Sequence, residues 1–240
     1  MKIDFPDGVG IFETLKSIDG QVIALDLHLA RARKSAKQLS IEFPTDAVIH
    51  QEIIRALNAY AIIKGIGRLR LVFPGDSEIL AVHEDFRMWD RPARITRIDA
   101  PIDIEAKRCG IKVLPYREQL EIISQANELG FDEAIRLNTR GEICEGAVSN
   151  ILFRIDGQWV TPELASGCLP GIVRGLVISW FGINERKVEV ADLERCDAAF
   201  LLSSLKEAQP VGYLEQRPLE IVTDLAQKIR ERMTTLSVGW

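Results

Sequence analysis

The chain has 240 residues, of which 47% are hydrophobic and 27% are charged. These values are ordinary for a globular protein and exclude low-complexity, collagen-like and wholly disordered chains. There are 30 Lys and Arg residues against 35 Asp and Glu residues, which gives a formal net charge of -5. That balance argues against a general binder of nucleic acid or of an anionic membrane surface.

The N-terminus and the cysteines indicate a cytoplasmic protein without a membrane anchor. Residues 1–6 contain no apolar signal core. No apolar stretch reaches the roughly 20 residues that a membrane-spanning helix needs. Four cysteines and three histidines are scattered along the chain without a CxxC pair. This spacing predicts reduced thiols and no metal site.

The first part of the chain predicts a ββααββ unit. Residues 9–17 and 21–25 read as two strands joined by a tight turn at Asp19-Gly20. A helix follows over residues 27–39 with Asp26 as its N-cap, and a second helix, capped by Thr45 or Asp46, runs to about Lys64. Two more strands are predicted at residues 68–73 and 79–83, with a turn at residues 74–76 between them.

The segment from residue 87 to 110 is rich in Pro, Asp and Arg and indicates a crossing between two domains, with a strand around residues 93–97. We therefore predict a small domain over residues 1–95, a linker over 96–109 and a larger domain over 110–240.

The larger part mixes strands and helices. Helices are predicted at residues 118–129, 171–181 and 218–233, and strands at residues 133–137, 149–155, 159–161 and 198–202. Because no regular βαβ rhythm appears, the pattern favours an α+β fold over a doubly wound sheet.

Three short segments could carry chemistry. Residues 169–174 (LPGIVR) start a helix after a glycine, which leaves backbone N–H groups able to hold a phosphate. Residues 141–150 (GEICEGAVSN) place Glu145 among small residues, where a buried carboxylate would need a partner such as a protonated ring nitrogen. Lys112 has apolar neighbours on both sides, which suits a lysine that bonds an aldehyde.

Each segment also has a plain structural interpretation when it is taken alone. The glycine could be only a turn and a cap, Glu145 could be exposed in a polar loop, and Lys112 could be a surface lysine at a strand end. Taken together, a phosphate cradle, a carboxylate for a ring nitrogen and a lysine for an aldehyde are what pyridoxal 5′-phosphate (PLP) requires.

The chain resembles the class IV aminotransferase family, the PLP enzymes of fold type IV, over nearly its whole length. The family includes branched-chain aminotransferases, D-amino acid aminotransferases and 4-amino-4-deoxychorismate lyases. The resemblance is carried by GVGIFET at residues 8–14, HLAR at 28–31 with SA at 35–36, GIK at 110–112, DEA at 132–134, residues 145–153, TP at 161–162, LPGIVR at 169–174, LSS at 202–204 and QPV at 209–211.

The resemblance implies a two-domain α+β fold, with a small α/β sandwich and a larger barrel-like β domain with helices. It also implies PLP as cofactor, a small-molecule amino substrate and a homodimer. The implied catalytic residue is Lys112, bonded to the cofactor aldehyde, with Glu145 on the ring nitrogen. The remaining implied cofactor contacts are Arg31, Tyr116, Asn150, Gly171, Ile172, Val173 and Ser204.

The chain departs from the family pattern in four places. Val173 stands where Thr is frequent, so a hydroxyl contact to the phosphate is missing, and Ser204 replaces a frequent Thr. Pro115 stands where Asn, Ser or Gly is commoner. Relatives carry about twenty or more residues before the GxGxFET strand, so we expect the first sheet to lack an edge strand if Met1 is the true start.

The preferred function is a lyase that gives 4-aminobenzoate and pyruvate from 4-amino-4-deoxychorismate, a step toward folate, because the chain is compact. An aminotransferase acting on branched-chain or D-amino acids is the alternative, and a PLP-binding relative without catalysis is a third. Arg68 or Arg70, which alternate with leucines on a strand, could meet a substrate carboxylate or could lie on the surface.

Overall fold

A computed structural model describes residues 10–59, 64–75 and 78–238 of the chain. The chain forms two compact units. Unit 1 comprises Met1–Met88, Ile111–Tyr116 and Glu231–Trp240, and unit 2 comprises Trp89–Gly110 and Arg117–Arg230. The predicted residues Gly8, Val9 and Asp76, and the helical residues predicted at 60–63, lie outside the described part.

In chain order the elements are β1 (Gly10–Ile18), β2 (Gln21–Ile23), α1 (Leu25–Leu39), α2 (Asp46–Asn58), β3 (Ile66–Pro74), β4 (Leu80–Asp85), β5 (Ala93–Arg97), β6 (Val113–Leu114), α3 (Arg117–Glu128), β7 (Glu133–Leu137), β8 (Ile143–Gly146), β9 (Asn150–Ile155), β10 (Gln158–Pro162), α4 (Ile172–Phe181), β11 (Asn184–Arg186), β12 (Cys196–Ser203), β13 (Glu207–Leu214), β14 (Arg217–Pro218), α5 (Asp224–Thr234) and β15 (Ser237–Val238).

Unit 1 contains a sheet in the order β15-β2-β1-β3-β4, with β6 also paired to β1. β1 and β3 pair antiparallel over their full length, from Gly10 opposite Pro74 to Ile18 opposite Ile66. The predicted Asp19-Gly20 turn joins β1 and β2, and both of its residues have positive φ, as a tight hairpin turn demands.

Strand alternation gives the unit 1 sheet two different faces. One face packs its apolar residues, among them Leu15 and Leu69, into a core that also contains Leu29 of α1 and Ile53 of α2. The other face carries Phe12 of β1, which lies against Val72, Leu114 and Tyr116.

Two helix boundaries in unit 1 differ from the prediction. Asp26 is not the N-cap of α1, because the helix begins at Leu25 after Ala24, which has a left-handed backbone, and Asp26 lies in the first turn. There its negative charge still faces the positive end of the helix. α2 begins after Thr45, as predicted, but ends at Asn58 instead of near Lys64.

The segment around Lys112 belongs to unit 1, whereas the sequence-based division placed it in the C-terminal domain. Its strand β6 pairs with the start of β1, and the Phe12 amide donates to the Lys112 carbonyl over 3.2 Å. The peptide bond between Leu114 and Pro115, where the family pattern was broken, is cis.

Unit 2 contains a nine-stranded sheet in the order β11-β10-β9-β12-β13-β5-β7-β8, with β14 attached to β13. The sheet is mixed. β5 runs parallel to its neighbours β13 and β7, whereas β12 pairs antiparallel with β9 on one side and with β13 on the other. The core of this unit includes Ile95, Phe153 and Leu201, which are fully buried. Mixed sheets with helices confirm the predicted α+β class.

Several elements of unit 2 differ from the prediction, among them β13 and the C-terminal helix. The strand β13 contains Pro210, and no strand was predicted there because proline cannot donate to a sheet ladder. The C-terminal helix begins at Asp224 instead of residue 218, because Arg217 and Pro218 pair with β13. Within the part of the chain that the structure describes, none of the helices combines the length and apolar character needed to cross a membrane.

Candidate functional site

In unit 1 the side chain of Lys112 lies over two aromatic rings. Its Nζ atom is 4.3 Å from the ring centroid of Phe12 and 4.8 Å from that of Tyr116. The two rings meet edge to face, 4.8 Å apart at 74°. Phe12 is buried and anchors the group in the sheet. The amine is therefore held at a defined place by aromatic faces, which attract a cation and exclude water from those sides.

A buried carboxylate lies on the helix-bearing face of the same sheet. Glu13 of β1 accepts a 2.9 Å bond from Nε of Arg31 and a 2.5 Å bond from its Nη2. His28 Nδ1 is 2.7 Å from the same carboxylate. Burial by itself would raise the pKa of Glu13, but Arg31 and His28 outweigh burial and lower the pKa to about 2. Burial lowers the pKa of His28.

Sequence reasoning proposed Arg31 as a phosphate ligand but missed its partner Glu13. The bidentate contact fixes the plane and direction of the guanidinium, so Glu13 determines where Arg31 points. A signal was available in the sequence. His28 and Arg31 are three residues apart on one helix and share a face, and a carboxylate on the helix-facing side of β1 is the partner that such a pair needs.

The opposite face of the unit 1 sheet, which carries Phe12, also carries positive charge. Strand alternation places Lys16 of β1 and Arg68 and Arg70 of β3 on this face. Arg68 is paired with Glu84, with Nε and Oε1 2.9 Å apart. Burial lowers the pKa of Arg70, and the charge of Arg68 lowers it further.

In unit 2 the predicted carboxylate and its loop meet the start of α4. The Oε2 atom of Glu145 accepts from the Leu169 amide over 2.9 Å and from Asn150 Nδ2 over 3.2 Å. The same Asn150 Nδ2 donates to the Leu169 carbonyl over 2.9 Å. Asn150 therefore joins the carboxylate to the segment that precedes the helix. The family resemblance implied only that Asn150 shapes the loop next to Glu145.

The start of α4 is packed so closely that a glycine is required. Gly171 is the N-cap residue and provides no side-chain cap. A Cβ atom at Gly171 would overlap the amide oxygen of Asn150. Arg174, one turn into the helix, is 3% exposed and donates to the Pro162 carbonyl over 2.7 Å. Its second partner is Glu185. The two contacts of Arg174 tie α4 to β10 and β11.

The turn that holds Ser204 lies at the same end of the unit 2 sheet. β12 ends at Ser203, and its Leu202 pairs with Asn150 at the start of β9. The Lys206 amide donates to Ser203 Oγ over 3.2 Å and closes the turn. Unit 2 thus brings together Glu145, Asn150, Gly171 and the Ser204 turn, while unit 1 contains Arg31, Lys112 and Tyr116.

These residues fit PLP. In unit 2 a carboxylate supported by two donors neighbours a helix start that leaves no room for a side chain, and these groups match a protonated ring nitrogen and a phosphate. In unit 1 a lysine amine is held between aromatic rings. Across the described residues 10–59, 64–75 and 78–238, no group of three or more His, Cys, Asp or Glu side chains could hold a metal ion.

Comparison with known proteins agrees with this chemistry. The family model described as class IV amino-transferase matches residues 10–213. A protein of Methanocaldococcus jannaschii, provisionally described as a branched-chain-amino-acid aminotransferase, is 27% identical over 97% of this chain and 88% of the relative. The aminodeoxychorismate lyase of Bacillus subtilis is 26% identical over 87% of this chain and 78% of the relative.

Among solved structures, a Legionella pneumophila protein, provisionally described as a 4-amino-4-deoxychorismate lyase, has a TM-score of 0.86. It is 22% identical in sequence, and the match covers 98% of this chain and 96% of that one. This likeness shows a shared fold.

Proposed function

Because the chain belongs to the class IV aminotransferase family, whose members are PLP-dependent enzymes, we propose that it is a lyase that converts 4-amino-4-deoxychorismate into 4-aminobenzoate and pyruvate. The observation that carries the choice of substrate is the positive charge on the Phe12 face of the unit 1 sheet. The substrate has two carboxylates, and Lys16, Arg68 and Arg70 share the face on which Phe12 contacts Lys112.

Three residues are proposed to hold the reactive part of the cofactor. Lys112 bonds the aldehyde carbon through its Nζ atom. Glu145, supported by the Leu169 amide and by Asn150, keeps the ring nitrogen protonated. Tyr116, whose ring lies beside the lysine amine, is assigned to the phenolic oxygen of the ring. The Leu169 amide and Asn150 Nδ2 both donate to Oε2 of Glu145 and so fix the direction of its carboxylate.

The phosphate group is proposed to be held by backbone and side-chain donors together. The helix start supplies the amides of Ile172 and Val173, and the missing side chain of Gly171 gives room to Asn150 beside them. Because Val173 has no hydroxyl, its amide is the donor that remains there. Arg31, aimed by Glu13, supplies the charge, and Ser204 supplies a hydroxyl.

When PLP is bound, it supplies an electron sink for the pair left on the substrate carbon after proton removal. Once the substrate amine has taken the place of Lys112 at the aldehyde carbon, the freed Nζ atom would take the proton from the ring carbon that bears the amino group. The C–O bond to the enolpyruvyl group then breaks, the leaving group takes a proton to become pyruvate, and the ring becomes aromatic. The atoms balance without an oxidant or an amino acceptor.

Arg70 is proposed to bind a substrate carboxylate, with Lys16 contributing charge nearby. Arg68 is less suited, because Glu84 already occupies its Nε edge. An arginine fork gives a carboxylate both charge and orientation.

The deciding experiment measures pyruvate from 4-amino-4-deoxychorismate with purified, PLP-loaded protein and no 2-oxo acid present. The proposed lyase releases pyruvate and 4-aminobenzoate in equal amounts under these conditions. No release without 2-oxoglutarate would sink the lyase assignment.

The cofactor assignment has its own test at Lys112. Borohydride treatment of the loaded protein should attach PLP irreversibly to the peptide that contains Lys112, as read by mass spectrometry. Lys112→Ala should lose this adduct and the activity, whereas Lys107→Ala, at an exposed lysine, should retain both. An adduct that persists in Lys112→Ala would refute the assignment.

An aminotransferase acting on branched-chain or D-amino acids is the second candidate. The relative from Methanocaldococcus jannaschii favours it. In that case Lys112 would return the proton to the cofactor carbon, and product formation would depend strictly on a 2-oxo acid.

A further inference from the structure

The motif Asp132-Glu133-Ala134 is one part of the family resemblance for which the proposed function gives no role. Glu133 begins β7, and its side chain is fully buried. Burial raises the pKa of Glu133, and the charge of Lys206 together with three hydrogen bonds only partly opposes that effect. A carboxyl group placed so deep in the protein needs specific partners.

The partners of Glu133 lie mainly in one short loop, residues 146–149. Its Oε1 atom accepts from the Ala147 amide over 3.0 Å, and its Oε2 atom accepts from Ser149 Oγ over 2.9 Å. The Ala134 amide is a third donor, also at 3.0 Å. Glu133 therefore fastens the 146–149 loop to the start of β7.

The loop closes tightly over this carboxyl group. A Cβ atom at Gly146 would lie 2.5 Å from Ser149 Oγ and 3.1 Å from the carboxyl carbon of Glu133. The Gly146 amide also donates to the Ser149 carbonyl over 2.7 Å. Little space remains for the loop to take another path.

The two residues that flank this loop are Glu145 and Asn150, whose side chains contact each other and Leu169. The path of the loop sets the separation and the direction of these two side chains. A change beneath the loop is therefore passed to the carboxylate without contact with the cofactor.

We propose that Glu133 is a positioning residue, which holds the 146–149 loop so that Glu145 faces the ring nitrogen of PLP. The inference rests on the proposed function, because it presumes that Glu145 meets this nitrogen. Glu133→Gln conserves the arrangement, since the amide oxygen accepts from Ala134 and Ala147 and the amide nitrogen donates to Ser149 Oγ. Glu133→Ala removes all three contacts.

The test uses the full chain loaded with PLP labelled with 15N in the ring, and it follows the 15N resonance at fixed pH. Wild type and Glu133→Gln should show a protonated nitrogen. Glu133→Ala should move toward the unprotonated position and bind PLP roughly tenfold more weakly, by analogy with the loss of an outer supporting contact at metal sites.

The matched control is Glu142→Ala. Glu142 is also buried in unit 2, but it holds the turn at residues 138–141 through Asn138 and Arg140. This variant should lose thermal stability and keep the wild-type resonance.

A wild-type resonance in folded, PLP-bound Glu133→Ala overturns the proposal. If Glu133→Ala does not fold, Ser149→Ala decides, because it removes one contact and should give a smaller displacement in the same direction; an unchanged resonance overturns the proposal.

Glu145→Gln in the same series separates the two levels of inference. Displacement in Glu145→Gln without displacement in Glu133→Ala refutes the positioning role alone. No PLP binding by the wild type refutes the cofactor assignment. No displacement in Glu145→Gln refutes the contact of Glu145 with the ring nitrogen, and either result removes the positioning role.

Discussion

Individual carboxylates in this chain have different chemical tasks because their neighbours differ. Glu13 is buried between the Arg31 guanidinium and the His28 ring, whereas Glu145 is partly buried and supported by neutral donors. Glu133 is buried among neutral donors with a raised pKa. Because of these surroundings Glu13 orients a cation, and we propose that Glu145 faces the cofactor while Glu133 holds a loop.

Glu13 should make the stability of the protein sensitive to acid. Its folded pKa of about 2 lies below the ordinary value of 4.5, so its contribution is fully present above about pH 4.5 and is lost as the pH falls toward 2. We expect Glu13→Gln to lower the free energy of unfolding by about 3 kcal/mol at pH 7, with the difference from wild type narrowing between pH 4.5 and 2. Urea titrations at several pH values measure both quantities.

The control for Glu13→Gln is Glu52→Gln, in the same unit. The pair of Glu52 with Arg55 lies at the surface of α2, so its loss should change stability little. If the difference in unfolding free energy between Glu13→Gln and wild type stayed constant down to pH 2, it would contradict the low pKa of Glu13.

Much of the site could be predicted at the level of single residues, because a motif reports residue types in a fixed order. Lys112, Glu145 and Gly171 were proposed as site residues in this way, and their roles stay predictions. Glu13 and Glu133 were not assigned roles, although both lie inside quoted motifs. Their tasks depend on which strand face they occupy and on loops distant in sequence, and neither is visible in a linear pattern.

At the scale of elements, α4 is the piece whose starting point matters most. Its first residues follow Gly171, and its buried Arg174 ties it to β10 and β11. The helix contains a second glycine, Gly175, around which nothing lies within 4 Å of an added Cβ atom. Gly171 is the crowded N-cap residue with an extended backbone, whereas Gly175 lies inside the helix beside open space.

Gly171→Ala should impair PLP binding while Gly175→Ala should not. The new methyl group at residue 171 displaces the amide of Asn150, and with it one donor to Glu145, so we expect PLP affinity to fall at least tenfold. Gly175→Ala should instead stabilise the protein by up to about 1 kcal/mol, since alanine favours a helix. Absorbance titrations with PLP and thermal melts report the two effects, and equal PLP affinity in both variants would contradict the packing argument.

Elements with strong periodicity or clear turn residues were predicted well, as β7 and the Asp19-Gly20 turn show. Elements formed by long-range pairing were not. β13 contains a proline and β14 has only two residues, so each exists because a partner strand is present. Tertiary pairing of this kind overrides local propensity.

At the scale of the whole molecule, the four cysteines are separate thiols spread through unit 2. Burial raises the pKa of Cys168 to about 12 and that of Cys196 to about 11. The pKa of Cys144 is raised further by the same cause, and Cys109 is partly exposed.

We expect iodoacetamide at pH 8 to modify Cys109 first in the folded protein and the other three thiols only on unfolding, because the thiolate is the reactive form. Mass spectrometry of timed samples should show one adduct in buffer and four in denaturant. Four rapid adducts in protein with an unchanged circular dichroism spectrum would rule this out.

The chain passes between the two units four times, after Met88, Gly110, Tyr116 and Arg230. A single cut therefore cannot release either unit as a continuous polypeptide. Gene shuffling between relatives would have to exchange three separate segments to replace unit 1 whole. The six-residue segment Ile111–Tyr116, which contains Lys112, is the shortest of these segments. A crossover elsewhere in the gene leaves this segment intact. It either keeps the segment with its partner strand β1 or separates the two. Inheritance of Lys112 is in this way tied to the connectivity of the fold.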